Sequence, residues 1–115
     1  MGRTPPPDEK AAIEAYVASL RLKGILGFLF RLGAEGRWDN NRYYVSCANH
    51  PVCRLTYTGK PGKEWTVDLY WPSRDTYGKD PTGLVFPAWG DVHAATRAIK
   101  TAIAAHEMPI VETRR

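Results

Sequence analysis

Apolar and polar residues alternate in three consecutive segments between Arg42 and Trp71. Alternation with a period of two, in residues that are largely β-branched or aromatic, is the signature of half-buried strands. The positions that share the apolar face are Tyr43, Val45, Cys47, Cys53, Leu55, Tyr57, Trp65, Val67, Leu69 and Trp71. The pattern therefore predicts an antiparallel meander of three strands with one buried face.

The turn between the second and third strands fixes their register. Residues 58–63 read TGKPGK, which is typical of a three-residue loop with Gly62 in the left-handed region and Gly59 paired with Lys63. The pairs that follow are Tyr57 with Trp65, Leu55 with Val67 and Cys53 with Leu69. All of these residues then lie on the apolar face, as a half-buried sheet requires.

The first hairpin is predicted in the same way. Pairing Cys47 with Cys53 leaves residues 48–52 as its loop. The same register pairs Val45 with Leu55 and Tyr43 with Tyr57. Both hairpins then bury the same face of the sheet, which supports the meander.

Two segments with helical periodicity flank the meander. Residues 8–23 begin with acidic side chains, which favour a helix N-terminus, and end before Gly24, a favourable residue just past a helix. Asp91 is a good N-cap for a second helix, which Pro109 would end. The predicted apolar face of this second helix comprises Val92, Ala95, Thr96, Ile99, Ala102, Ile103 and His106. The sequence thus predicts an α+β fold, with the three-stranded meander packed against an N-terminal and a C-terminal helix.

The remaining segments are assigned less directly. Residues 25–32 are too densely apolar for periodicity to separate helix from strand, although their leucine-rich composition favours a helix. The composition of residues 34–41 predicts a polar loop. That of residues 72–90 predicts a long irregular loop, with a short edge strand at 84–86. Ile110 and Val111 predict a further short strand. With these additions the sheet would have four or five strands.

Length and composition indicate one domain. The 115 residues are enough for a hydrophobic core, and we assign residues 8–113 to the domain and residues 1–7 to a flexible, proline-rich lead. No apolar run reaches the length of a membrane span, and the opening MGRTPPPDEK has no apolar signal core. We therefore expect a cytoplasmic protein without a membrane partner. Its net charge of +4 allows an anionic partner without requiring one.

Cys47, His50 and Cys53 form the spacing C-x2-H-x2-C. The favoured interpretation is two free thiols in the core, with His50 an ordinary loop residue. A cross-strand disulfide is the second, although a reducing cytoplasm disfavours it. A zinc site is the third, and its fourth ligand, His93 or His106, would have to come from the second helix. We expect neither a metal nor a cofactor.

The chain contains no nucleophile elbow, no P-loop and no G-x-G-x-x-G motif. Cys47 and His50 are three residues apart on a predicted hairpin, which directs the two side chains apart rather than into a nucleophile–base pair. The sequence therefore predicts a binding protein rather than an enzyme.

The polar face of the meander carries cations interleaved with aromatic residues. Such a surface can stack the bases of single-stranded nucleic acid and neutralise its phosphates. The residues that we expect to contact nucleic acid, or a nucleoprotein complex, are Arg42, Tyr44, Arg54, Lys60, Lys63 and Tyr70. Against this, Asp68 lies on the same face, and tyrosine and arginine are also ordinary residues of exposed strands.

The 72–90 loop supports a different function, because exposed aromatic residues anchor protein interfaces. Arg74, Tyr77, Lys79 and Trp89 are the residues that we expect to contact a protein partner there. The protein would then be an interaction module, or an inhibitor or accessory protein of the kind that phages and mobile elements encode. The competing interpretation is that these aromatic residues fold inward and close the core.

Overall fold

Two helices and an antiparallel sheet make up the computed structural model, which describes residues 4–22, 33–47, 49–78, 89–105 and 110–112. The helices are α1 (Pro7–Ala18) and α2 (Val92–Ala105). The strands are β1 (Leu20–Leu22), β2 (Ala34–Asp39), β3 (Arg42–Cys47), β4 (His50–Lys60), β5 (Lys63–Trp71), β6 (Thr76–Gly78), β7 (Trp89–Gly90) and β8 (Ile110–Glu112). The predicted α+β fold with an N-terminal and a C-terminal helix is confirmed.

The main sheet contains β2, β3, β4, β5 and β6 in that order, each antiparallel to its neighbour. β6 and β7 both pair with β5 along the same edge, at opposite ends of that strand. β1 and β8 form a separate two-stranded sheet, which a bridge between Arg21 and Gly33 links to the start of β2. The predicted strand at Ile110 and Val111 is therefore confirmed, and the main sheet is larger than the three-stranded meander.

The predicted register of β4 with β5 is confirmed over its apolar pairs. Tyr57 lies opposite Trp65, as expected, and the pairs on either side follow the same register. The predicted pairing of Gly59 with Lys63 is wrong, because Lys60 pairs with Lys63 instead. Gly59 and Gly62 both have positive φ, 72° and 76°. A left-handed Gly59 lets β4 bulge by one residue before a two-residue turn, and this bulge explains the altered pairing at the tip.

The predicted register of the first hairpin is wrong by two residues up to Val45 and by three residues beyond it. Val45 pairs with Cys53 and Cys47 with His50, so only two residues connect β3 to β4. The tight turn is possible because Asn49 adopts a left-handed conformation with φ of 67°. A shift of two residues leaves every side chain on its predicted face, and a bulge after Val45 places the extra residue, Val52, in the core.

Residues 34–41, predicted as a loop, instead form β2 and its turn into β3. The predicted turn chemistry does lie at residues 40–41, where Asn40 has a φ of 59°. The rings of Trp38 and Tyr43, on neighbouring strands, pack in a tilted arrangement with their centroids 4.6 Å apart, and this contact stabilises the pairing. Gly36 lies under the same ring, and a Cβ at this position would come within 1.8 Å of Tyr43. The strand therefore forms although its sequence is mostly polar.

The first helix is shorter than predicted. It ends at Ala18 rather than near residue 23, because residues 20–22 extend and pair with β8. In α2 the predicted N-cap is confirmed, since the Asp91 carboxylate accepts a 2.9 Å hydrogen bond from the Ala94 N–H. The predicted end of α2 near His106 and Pro109, and the predictions for residues 25–32 and 84–86, lie outside the described residues.

Both helices pack on the predicted apolar face of the sheet. The fully buried residues include Ile13 and Val17 of α1, Ile99 of α2 and Trp65 of β5. The indole N–H of Trp65 donates a 2.9 Å hydrogen bond to the Glu9 carboxylate, which ties α1 to the sheet. None of the helices in the described part of the chain is long and apolar enough to cross a membrane.

Candidate functional site

The second face of the main sheet, called here the open face, carries polar and aromatic side chains in cross-strand rows. The central row consists of Arg37, Tyr44, Arg54 and Asp68, one residue from each of β2, β3, β4 and β5. The outer row consists of Asp39, Arg42, Thr56 and Thr66, from the same four strands. None of these residues belongs to the buried core that the described helices form with the sheet.

Three half-buried tyrosines meet on the open face, and we call them the tyrosine cluster. The ring centroids of Tyr44 and Tyr77 are 5.5 Å apart, and those of Tyr70 and Tyr77 are 5.3 Å apart. Both pairs meet edge to face, which is the arrangement that aromatic quadrupoles favour. Tyr77 is therefore the central member, and it joins two rings that belong to strands β3 and β5.

Arginine side chains lie over two of these rings. The guanidinium of Arg37 is 5.7 Å from the centroid of Tyr44, and that of Arg54 is 5.1 Å from the centroid of Tyr77. Both distances lie within the range of a cation–π interaction. Guanidinium groups and tyrosine rings thus alternate across the middle of the open face.

Acidic residues reduce the positive charge of this surface. Asp68 accepts a 2.8 Å hydrogen bond from Nη2 of Arg54 in an ion pair whose side chains are 21% and 22% exposed. Burial alone would lower the pKa of Arg54, but the hydrogen bond and the charge of Asp68 outweigh it and raise that pKa. The Asp75 carboxylate accepts a hydrogen bond from the hydroxyl of Tyr70, and this bond is the main reason why the pKa of Tyr70 is raised.

The six residues predicted to contact nucleic acid are only partly brought together. Arg42, Tyr44, Arg54 and Tyr70 lie on the open face. Lys60 and Lys63 pair with each other at the tip of the β4–β5 hairpin, and both are exposed. This tip extends past the sheet at the end that also carries the β2–β3 turn. The two lysines therefore flank the open face rather than lie within the tyrosine cluster.

The four residues predicted to contact a protein partner do not form one surface in the described part of the chain. Tyr77 belongs to β6 and packs into the tyrosine cluster. Arg74 is exposed in the preceding turn, where its N–H donates to the carbonyl of Trp71. Lys79 and the side chain of Trp89 lie outside the described residues. The part of the 72–90 loop that is described thus contributes one tyrosine to the open face.

Two clefts adjoin Tyr44 on the open face. One, of about 420 Å³, lies beside the β2–β3 turn, with Asn40, Asn41 and Arg42 in its wall. The other, of about 330 Å³, lies toward the opposite end of the strands, with Arg37 and Tyr77 in its wall. Tyr44 lines both clefts and therefore lies between them.

Cys47 and Cys53 are buried free thiols on the core side of the sheet. Burial raises the pKa of Cys47 to about 11, and burial together with the nearby Cys47 raises that of Cys53 further. His50 is exposed at the hairpin end opposite Cys47. Within the described ranges, no three histidine, cysteine or acidic side chains converge as metal ligands would.

Two residues of the site were missed by the sequence analysis or assigned to another surface. Arg37 was missed because β2 was predicted as a loop, although Glu35, Arg37 and Asp39 alternate as the polar side of a strand would. Tyr77 was assigned to a loop surface, and no sequence signal showed that β6 would return to the sheet.

Comparisons with protein-family models, with curated proteins and with solved structures find no match to this chain.

Proposed function

We propose that the protein is a non-catalytic binder of single-stranded nucleic acid and that the open face is its binding surface. The observation that carries this proposal is the tyrosine cluster with Arg37 and Arg54 over its rings. An antiparallel sheet that presents aromatic rings beside cations is a recurrent platform for unpaired bases. Bases would stack on these rings, or on the guanidinium planes that already lie against them.

Single strands are favoured over duplexes because stacking needs bases whose faces are accessible. The tyrosine rings are half-buried and are braced by each other, so they are held in place before a ligand arrives. A surface that is ordered in advance loses less conformational entropy on binding. The cluster is therefore better suited to stacking than three isolated exposed tyrosines would be.

Phosphate contacts would come from cations around the cluster. Arg37 and Arg42 lie on the open face, and Lys60 and Lys63 lie at the hairpin tip next to it. Four such contacts to a single strand give a slope of log affinity against log salt of about −2.8. Affinity should then fall roughly 50-fold between about 50 and 200 mM salt.

The test is a fluorescence-anisotropy titration with labelled single-stranded RNA and DNA and with matched duplexes, at both salt concentrations. Tyr44→Ala should weaken single-strand binding by roughly 5- to 100-fold, because it removes a stacking ring. Tyr44→Phe keeps the ring and should bind almost as the parent does. Arg97→Ala truncates an exposed side chain of α2, away from the open face, and affinity should change little.

No binding to any oligonucleotide at either salt concentration would contradict the proposal. Equal loss of affinity in Tyr44→Ala and Arg97→Ala would contradict the assignment to the open face. In the first case the remaining proposal is a protein partner, for which Arg74, exposed in the β5–β6 turn, is a predicted contact. Alanine at Arg74 would then be tested first, in a pull-down against the parent protein.

A further inference from the structure

The cleft of about 420 Å³ beside the β2–β3 turn combines a stacking ring with a set of uncommitted polar groups. We infer that this cleft receives one base and prefers a base with an exocyclic amino group over uracil or thymine. The inference rests on the proposed function, since it concerns which base the same surface selects. It is carried by the placement of Tyr44, Asp39, Asn40 and Asn41 around one opening.

The wall of the cleft is fixed by the backbone. Asp39 pairs with Arg42 across a two-residue turn, and Asn40 holds the left-handed conformation that the turn requires. The carbonyl of Asn41 accepts a 3.3 Å hydrogen bond from the N–H of Tyr57, which ties the turn to β4. The polar side chains of the turn are therefore presented from an anchored backbone.

These side chains are available to a ligand. Asp39 and Asn40 are exposed and Asn41 is half-buried. Their side chains make no hydrogen bond or ion pair to another residue in the described ranges. The open face elsewhere differs, because Asp68 is paired with Arg54 and Asp75 with Tyr70. Asp39 is thus the acid of this cleft, and its acceptor capacity is left for a bound base.

The chemistry of these groups distinguishes the bases. An ionised carboxylate is an acceptor only, so it pairs with the amino group of adenine, cytosine or guanine. An asparagine amide both donates and accepts, and it can pair with adenine through two hydrogen bonds. Uracil and thymine carry a carbonyl oxygen at C4, where cytosine carries its amino group, and adenine carries its amino group at the equivalent position, C6. A carboxylate such as Asp39 repels a carbonyl oxygen at this position.

Each element of the cleft then has a separate task. The ring of Tyr44 stacks the base, which is a contact that any base can make. Arg42, at the start of β3, would neutralise the phosphate of the same nucleotide. Asp39 and Asn41 read the edge of the base. Selectivity should therefore depend on Asp39, while overall affinity should depend on Tyr44.

The experiment measures anisotropy with labelled homopolymeric 10-mers of adenine, cytosine and uracil RNA, and of the corresponding DNA bases, at about 50 mM salt. We expect the adenine and cytosine strands to bind roughly 5- to 10-fold more tightly than uracil or thymine strands. Asp39→Asn should reduce this preference to about twofold or less and should not weaken binding to uracil.

Glu35→Gln is the matched control for the choice of cleft, because Glu35 is exposed on the open side of the same strand but lines the second cleft rather than this one. It removes the same charge and should keep the preference. Near-ultraviolet circular dichroism of both variants checks that the aromatic cluster stays assembled. Since Asp39 is exposed, we expect both variants to fold.

Each outcome separates this inference from the proposed function. Equal affinity for all homopolymers, or a preference for uracil, overturns the inference and leaves single-strand binding standing. A preference that Asp39→Asn retains, or that Glu35→Gln also loses, overturns the assignment to this cleft. Absence of binding to every homopolymer overturns both.

Discussion

Asp68 sets the charge of the central row, and its replacement by asparagine is the most informative single change. In the parent protein its carboxylate lies 2.8 Å from Nη2 of Arg54 and neutralises that guanidinium. Asparagine keeps an acceptor of nearly the same shape but removes the negative charge. Arg54 would then stay over the ring of Tyr77 as a cation able to contact phosphate. We expect Asp68→Asn to bind single-stranded nucleic acid more tightly.

The magnitude follows from the number of phosphate contacts. One additional contact to a single strand steepens the slope of log affinity against log salt by about 0.7. If the parent makes four contacts, its affinity falls roughly 50-fold between about 50 and 200 mM salt, and that of Asp68→Asn falls roughly 130-fold. The cost in folding stability should be roughly 1 kcal/mol or less, because the ion pair is partly exposed and asparagine can still accept a hydrogen bond.

The assay is the anisotropy titration at four or more salt concentrations, with urea denaturation to confirm that the variant is folded. Asp8→Asn is the charge-matched control, because Asp8 is exposed in the first turn of α1, on the far side of the sheet. Its slope should equal that of the parent. A folded Asp68→Asn with the parent's slope and affinity would refute the expectation that Arg54, once released from its ion pair, contacts phosphate.

Three further predictions concern the core. Trp65→Phe removes the indole N–H that donates to Glu9. The free energy of unfolding, measured by urea denaturation, should therefore fall by roughly 2 kcal/mol or more. An unchanged denaturation midpoint would contradict the role of this hydrogen bond. Cys47 and Cys53 should react with a thiol reagent at pH 8 only as fast as the protein unfolds, and rapid labelling of the native protein would contradict their burial. Because the pKa of Cys47 is raised to about 11 in the folded state, its thiol ionises first in the unfolded chain. The free energy of unfolding should therefore decrease as the pH rises from about 9 toward 11, an effect that Cys47→Ala should reduce.

The hydrophobic pattern was sufficient to assign each strand residue of the meander to a face, even where the register was wrong. The first hairpin shows why. Its true register differs from the predicted one by two residues up to Val45, and side chains in a strand repeat with the same period. Tyr44 and Arg54 therefore reached the open face under either register. The error affected the loop, which consists of only the two residues before His50, and Val52, which lies at a bulge in the core rather than in the loop.

The prediction for β2 was wrong because its stability comes from tertiary contacts. The segment has no β-branched residue, and its polar composition is typical of a loop. It pairs with β3 because Trp38 packs on Tyr43 and because Gly36 leaves room for that ring. Neither contact can be inferred before the register of the hairpin is known. Arg37, which depends on this strand, was missed for the same reason.

Two residues predicted for different functions lie side by side on the open face. Tyr70 was assigned to nucleic-acid binding and Tyr77 to a protein partner, yet the two residues are paired across β5 and β6 and their rings touch. A protein partner that used Tyr77 as an anchor would cover the ring that joins Tyr44 to Tyr70. Nucleic acid and such a partner would therefore compete for the open face rather than bind side by side. Competition would be seen as release of a labelled oligonucleotide when the partner is added, and simultaneous binding would place the partner elsewhere on the chain.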